Sequence, residues 1–163
     1  MSTIAVPHSP PAPRAARVIF WAGLIAGILD LTGACVVSWL RAGVTPIRVF
    51  QSVASGLFGS ASFSGGARTA TAGVVLHFII ATTWATAYYL ASRKLSFLLN
   101  QPLIAGFFYG VVVYLFMNFV VIPLSAIPPR TTPIPLSSRL IGMSIIIVCI
   151  GLPIAIIVRR LSK

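Results

Sequence analysis

Four apolar stretches, about residues 18–40, 68–91, 102–122 and 139–158, take up most of this 163-residue chain. A helix rises about 1.5 Å per residue, so roughly 20 apolar residues cross the ~30 Å hydrocarbon layer of a bilayer. Each stretch reaches that length, which leaves no room for a separate soluble catalytic or nucleic-acid-binding domain. Inside a bilayer the backbone must satisfy its own hydrogen bonds, so only helices and closed barrels span it. Apolar runs this long and continuous predict helices. The expected fold is therefore all-α, an integral membrane bundle of four transmembrane helices with a short interfacial amphipathic helix between the first and second spans. Composition agrees: 8% of the residues are charged and 58% are hydrophobic, whereas a soluble domain carries about 25% charged residues.

The twelve Lys and Arg against one Asp and no Glu give a net charge of +11. Clustered on a polar face, such charge would suggest nucleic-acid binding. Instead Arg14, Arg17, Arg41, Arg68, Arg93, Lys94, Arg139, Arg159, Arg160 and Lys163 flank the apolar stretches, where cations meet lipid headgroups. The expected partners are the lipid bilayer and its anionic lipids, with no nucleic acid. Four spans place both termini on one side. Arg14, Arg17, Arg93, Lys94, Arg159, Arg160 and Lys163 would share it, against Arg41, Arg48, Arg68, Arg130 and Arg139 opposite, so the positive-inside rule puts both termini in the cytoplasm.

Residues 1–16, with Pro7, Pro10, Pro11 and Pro13, are expected to form a disordered tail in which His8 is solvated, and residues 17–163 a single four-span domain. The first apolar stretch is too long for a signal-peptide core of about 7–15 residues. The run ending at Cys35 lacks the Leu of a lipoprotein cleavage box, so no cleavage is expected. Trp21 and Trp39 lie near the two ends of that stretch, as aromatic belts do. Thr45 before Pro46 marks a helix start. From there residues 46–58 place Ile47, Phe50, Val53, Ala54, Leu57 and Phe58 on one stripe, with Arg48 and Gln51 read as part of a solvated face. Such a segment lies at the interface or tucks against the bundle. GSASFSGG, residues 59–66, predicts a flexible turn, and Pro123 is expected to end the third span ahead of a proline-rich, non-helical connection. Gly151 and Pro153 predict a kink in the fourth.

Helices in lipid associate by close approach through small residues. Gly23 and Gly27, then Gly73, then Gly106 and Gly110 define such faces, and each carries its span's main polar residue. Asp30, the chain's sole acidic side chain, sits with the first, His77 with the second, and Tyr114 and Asn118 with the third. Counting from Arg41, Arg68 and Pro123, helical rise puts Asp30, His77 and Tyr114 roughly 14–17 Å below the same surface, and Asn118 about 8 Å below it. They form one candidate polar layer. A buried acid needs a partner or water, and His77 is the expected partner.

Cys35 and Cys149 have no Cys or His at ligand spacing and read as packing residues, so no metal site, disulfide or cofactor is expected. Trp84, Tyr88 and Tyr89 are expected in packing and belt positions. No nucleophile and base arrangement, metalloprotease motif or nucleotide loop occurs, so no enzyme is expected. Two functions fit. In the leading one Asp30, His77, Tyr114 and Asn118 hold helices together in a non-enzymatic membrane protein that packs with itself or with another membrane protein. In the alternative the same layer serves a small proton- or cation-coupled transporter or channel component.

The runs Gly23-Leu24-Ile25-Ala26-Gly27 with Asp30, Gln51-Ser52-Val53-Ala54-Ser55-Gly56-Leu57, Leu76-His77-Phe78, Tyr109-Gly110, Met117-Asn118-Phe119 and Pro123-Leu124-Ser125 together resemble small uncharacterised bacterial inner-membrane proteins of the YagU-like type. The resemblance covers about residues 17–160. It implies a four-span architecture and a bacterial inner membrane, and no reaction.

Overall fold

The computed structural model describes residues 12–129 and 133–162. In chain order the helices are α1 (Ala12–Ala42), α2 (Pro46–Phe58), α3 (Gly66–Lys94), the single turn α4 (Phe97–Asn100), α5 (Pro102–Leu124) and α6 (Leu136–Ser162). No strand occurs among the described residues. Helices α1, α3, α5 and α6 are long and apolar enough to cross a membrane.

Local chemistry sets the boundaries. Gly43, at φ +61°, turns the chain out of α1 in a conformation that favours glycine. Pro46 opens α2 with a φ already suited to a helix, while Thr45 supplies a backbone carbonyl to Val49 N–H and no side-chain cap. Three boundaries differ from the sequence expectation. Residues 12–16, assigned above to the tail, continue the helix; the rest of the tail, with His8, lies outside the described residues, as do Arg130 and Lys163. Residues 59–63 form a 3₁₀ turn. Pro123 does not stop α5, which passes through it to Leu124.

The reason for the third difference recurs in α6. Each of these helices contains one widened π turn, Met117–Val121 in α5 and Ile147–Gly151 in α6. A proline stands two residues beyond each, at Pro123 and Pro153. In a regular helix the proline ring clashes with the carbonyl four residues back and its missing N–H leaves a carbonyl unpaired. A wider turn just ahead gives the ring space and lets the helix continue.

Side-chain size sorts the residues by direction. Ala22, Ala26, Ala85 and Ala155 are completely buried, whereas Phe20, Leu103, Phe108 and Phe119 stand more than half exposed. Small residues turned in and bulky apolar ones turned out suit helices surrounded by lipid. Helix α2 shows the same sorting, and Gln51, expected on its solvated face, is buried. Its inner side is Val49, Gln51, Ala54 and Ser55, and its Ile47, Leu57 and Phe58 face outward.

Helix α1 packs between α3 and α6, α5 packs on α6, and α2 packs on α3. Several close approaches are at glycines. A Cβ placed on Gly23 would lie 2.9 Å from the Thr82 backbone, and one on Gly27 2.8 Å from the Phe78 ring. On α5, a Cβ on Gly106 would lie 2.9 Å from the Gly151 carbonyl, and one on Gly110 2.6 Å from Ile147 Cα. Gly73 meets α2: a Cβ there would run into the Phe50 carbonyl.

These contacts rank substitutions. Gly73→Val is expected to destabilise the protein by about 1–3 kcal/mol through overpacking. Gly142→Ala, whose Cβ would sit an ordinary 3.6 Å from the Tyr114 ring, is expected to have no measurable effect. Unfolding in mixed micelles compares the two directly.

Candidate functional site

Helices α3 and α5 do not form an extended packed pair. Aromatic side chains bridge them instead. Tyr109 O–H on α5 donates to the Trp84 carbonyl on α3 at 2.6 Å, and Tyr88 packs edge-on against Tyr109 with ring centres 4.9 Å apart. Tyr88 is fully buried and donates to the Leu98 carbonyl at 2.9 Å, tying in α4. Trp84 also meets Phe116 edge-on at 5.5 Å.

On the other side of this aromatic bridge the separation of α3 from α5 leaves a cavity of about 860 Å³. Trp84 and Val113 line its inner end, Leu76, Ile80 and Met117 its sides, and Ile146 and Ile150 of α6 its back. Its outer end is framed by Ser52, Ser55 and Leu57 of α2, by Phe63, and by residues 124, 125, 127 and 128. The connection after α5 is fixed to α2 there: Ala126 N–H donates to the Gly56 carbonyl at 3.0 Å. Arg48 stands outside this rim, its guanidinium 4.9 Å from the Phe63 ring centre and donating to the Phe63 carbonyl.

Asp30 and His77 are the two ionisable side chains on the cavity wall, and the rest of the lining is mainly apolar. His77 Nε2 lies 3.0 Å from the Gly27 carbonyl. A carbonyl only accepts, so Nε2 carries a proton and donates it. The same nitrogen is 4.0 Å from Asp30 Oδ2, too long for a hydrogen bond. The carboxylate has no hydrogen-bond partner among the described residues, and the side chains of His77 and Asp30 remain 12% and 19% exposed. The positions follow from local structure. Asp30 is one turn beyond Gly27, where close approach to Phe78 and Ala81 brings α3 against α1, and His77 is one turn before Ala81.

Tyr114 and Asn118 do not join this pair. Neither lines the cavity. Tyr114 lies beside Gly142 of α6, and the Asn118 amide donates to the Tyr114 carbonyl of its own helix at 2.9 Å. The physical reason is the direction of the small-residue stripe on α5. Gly106 and Gly110 point at α6, and Tyr114 continues that line, whereas the cavity is faced by Val113 and Met117. Gln51, read from sequence as solvated, is 3% exposed, and its amide nitrogen donates to the Gly66 carbonyl at 3.1 Å. Arg48 is exposed. Sequence reasoning missed the α2 and 125–128 rim and the role of Trp84, which lies two helical turns past His77 on the same face. A Cβ placed on Gly33 would lie 3.5 Å from Cys149 Sγ, and among the described residues no group of three metal-ligating side chains occurs.

Comparison with protein-family models, with curated protein sequences and with solved structures yields no match.

The geometry makes cavity hydration measurable. With Cys35 and Cys149 replaced by Ala, Met117→Cys is expected to react with a water-soluble, membrane-impermeant thiol reagent, and Val112→Cys, on the outer face of α5, to remain unreacted in lipid. No reaction at Met117→Cys would show that the cavity holds no water, and equal reaction at both positions would show that the outer face of α5 is not covered by lipid.

Proposed function

We propose that this chain is a non-enzymatic integral membrane protein in which Asp30 and His77 form a proton- or cation-exchanging pair, as a component of proton- or cation-coupled transport. The observation that carries this reading is the placement of both side chains on the wall of an 860 Å³ cavity, with the Asp30 carboxylate free of hydrogen bonds among the described residues. A pair serving solely to hold helices together has no use for an adjoining cavity. It is better sealed, because an ionisable group inside a membrane is costly unless water or a partner satisfies it. The bond from His77 to the Gly27 carbonyl does tie α3 to α1, so the pair also contributes to packing.

The setting belongs to the same proposal. Four long apolar helices, basic residues at their ends and the resemblance to YagU-like proteins support a bacterial inner membrane. The excess of Arg and Lys near the termini supports a cytoplasmic location for both. The cavity, rimmed by α2 and residues 125–128, would then open toward the opposite side. In that setting α2 lies at the interface with Ile47 and Phe58 in the lipid, and the Gly23/Gly27 and Gly106/Gly110 pairs act as close-packing motifs.

Infrared spectra of the protein in lipid test this, since Asp30 is the only side-chain carboxyl. A protonated carboxyl band that shifts in heavy water and titrates with pH is expected, and Asp30→Asn is expected to remove the band and abolish flux into proteoliposomes. A band that neither exchanges nor titrates, or flux unchanged in Asp30→Asn, would assign the pair to helix packing alone.

A further inference from the structure

We propose that the cavity binds a lipophilic monocation, a quaternary phosphonium or ammonium or a protonated hydrophobic amine, in exchange for the proton held by Asp30 and His77. The inference rests on the proton-exchanging role of that pair and names the class of molecule with which the proton exchanges.

Size, lining and charge each narrow the choice. The volume, about 860 Å³, falls in the range of drug-sized ligand sites, roughly 300–1,000 Å³. The walls are leucine, isoleucine, valine and methionine side chains, with Trp84 at the inner end and Phe63 at the rim. A small hydrated ion gains nothing from such walls, whereas a bulky apolar body does. The Trp84 ring also suits a cation, which an aromatic face attracts. The one acidic side chain of the protein projects into this apolar space with no hydrogen bond to satisfy it among the described residues.

Charge balance selects a single positive charge. The titratable groups facing Asp30 are His77 from α3 and, beside Gly33 one turn further along α1, Cys149 from α6; the cavity linings from α2 and α5 contribute none. With the His77 Nε2 proton counted in, Asp30 and His77 sharing one further proton are neutral together. When that proton leaves for water the pair carries one negative charge, and a monocation restores neutrality. An anion or a dication would leave net charge in an apolar space, which is costly. The route in need not pass Arg48 outside the rim. Lipophilic cations partition into the bilayer, and the sparse contact of α3 with α5 would give them a lateral way in.

Tetraphenylphosphonium and tetraphenylborate, alike in shape and opposite in charge, are the probes. The full chain in lipid nanodiscs, in weakly buffered solution with a pH-indicating dye, is expected to bind the phosphonium saturably, to release protons as it does so, and to bind more weakly as pH falls. The borate is expected not to bind. Asp30→Asn should weaken phosphonium binding at least about tenfold, the scale of losing a buried charge partner, and end proton release. Should that variant fail to fold, Ile80→Trp, which fills the cavity from α3, should abolish binding while leaving the titrating carboxyl band in place. Equal binding of both probes, or phosphonium binding by Asp30→Asn as tight as by the wild type, overturns the proposal. Absence of phosphonium binding in a protein whose carboxyl band still titrates also overturns it but leaves the proton-exchange reading standing; absence of both removes the two together.

Discussion

Close approach of helix backbones at a few glycines is the constraint on which this structure depends. Apolar side chains gain nothing by leaving lipid for one another, so long helices hold together through tight van der Waals contact. Here α5 meets α6 where Gly106 and Gly110 lie against Gly151 and Ile147, α1 meets α3 at Gly23 and Gly27, and α3 meets α2 at Gly73. Each approach leaves no space for a Cβ atom. The bulky residues are pushed outward as a direct consequence, and the surface becomes a coat of Phe, Leu, Ile and Val.

The cavity follows from where those contacts are missing. Helices α3 and α5 each have a close partner elsewhere, α3 on α1 and α2, α5 on α6. No glycine brings α3 and α5 to each other, and Trp84, Tyr88 and Tyr109 span the distance instead. Large rings reach across a gap but fill only part of its length, so a space remains beyond them. Asp30 and His77 border it because both lie within one turn of the residues where α1 and α3 touch, Gly27 and Ala81. The contact that fixes their height in the bundle also turns them toward the adjoining gap.

Much of this was legible in the residues. The four long helices and the helix at 46–58 follow from apolar run length and from Thr45 and Pro46, and their ends in the structure agree to within four residues except at the start of α1, six residues earlier than expected. The proximity of Asp30 to His77 could be read because both sit on stripes that face each other. Tyr114 and Asn118 could not be placed by the same argument: the stripe on α5 faces α6, and a one-dimensional pattern shows that a helix has a packing face without showing which neighbour it meets. On α2, Arg48 is exposed and Ala54 of the apolar stripe is buried, but Gln51 could not be placed from the pattern. Amphipathic periodicity identifies an apolar stripe without showing how much of it is buried, and here Ile47 and Phe58 stay exposed while Gln51 turns inward to the Gly66 carbonyl.

The two prolines connect helix geometry to the site. Pro123 and Pro153 each follow a π turn by two residues, and both π turns contribute to the cavity, Met117 and Val121 from α5 and Ile150 from α6. A π turn inserts an extra residue into the helical count, so the residues before and after it are rotated relative to a regular helix. On α5 this rotation falls between Val113, at the inner end of the cavity, and Ile122, near its rim, and keeps both on the wall. On α6 it falls at Ile147 and Gly151, the residues that receive Gly110 and Gly106. The same widened turn therefore supplies the tightest contact of α5 with α6 and one side of the space that faces Asp30. Restoring a regular helix at Pro153 would have to alter both at once, which is why the contact that closes one side of the bundle and the cavity that opens beside it cannot be varied independently.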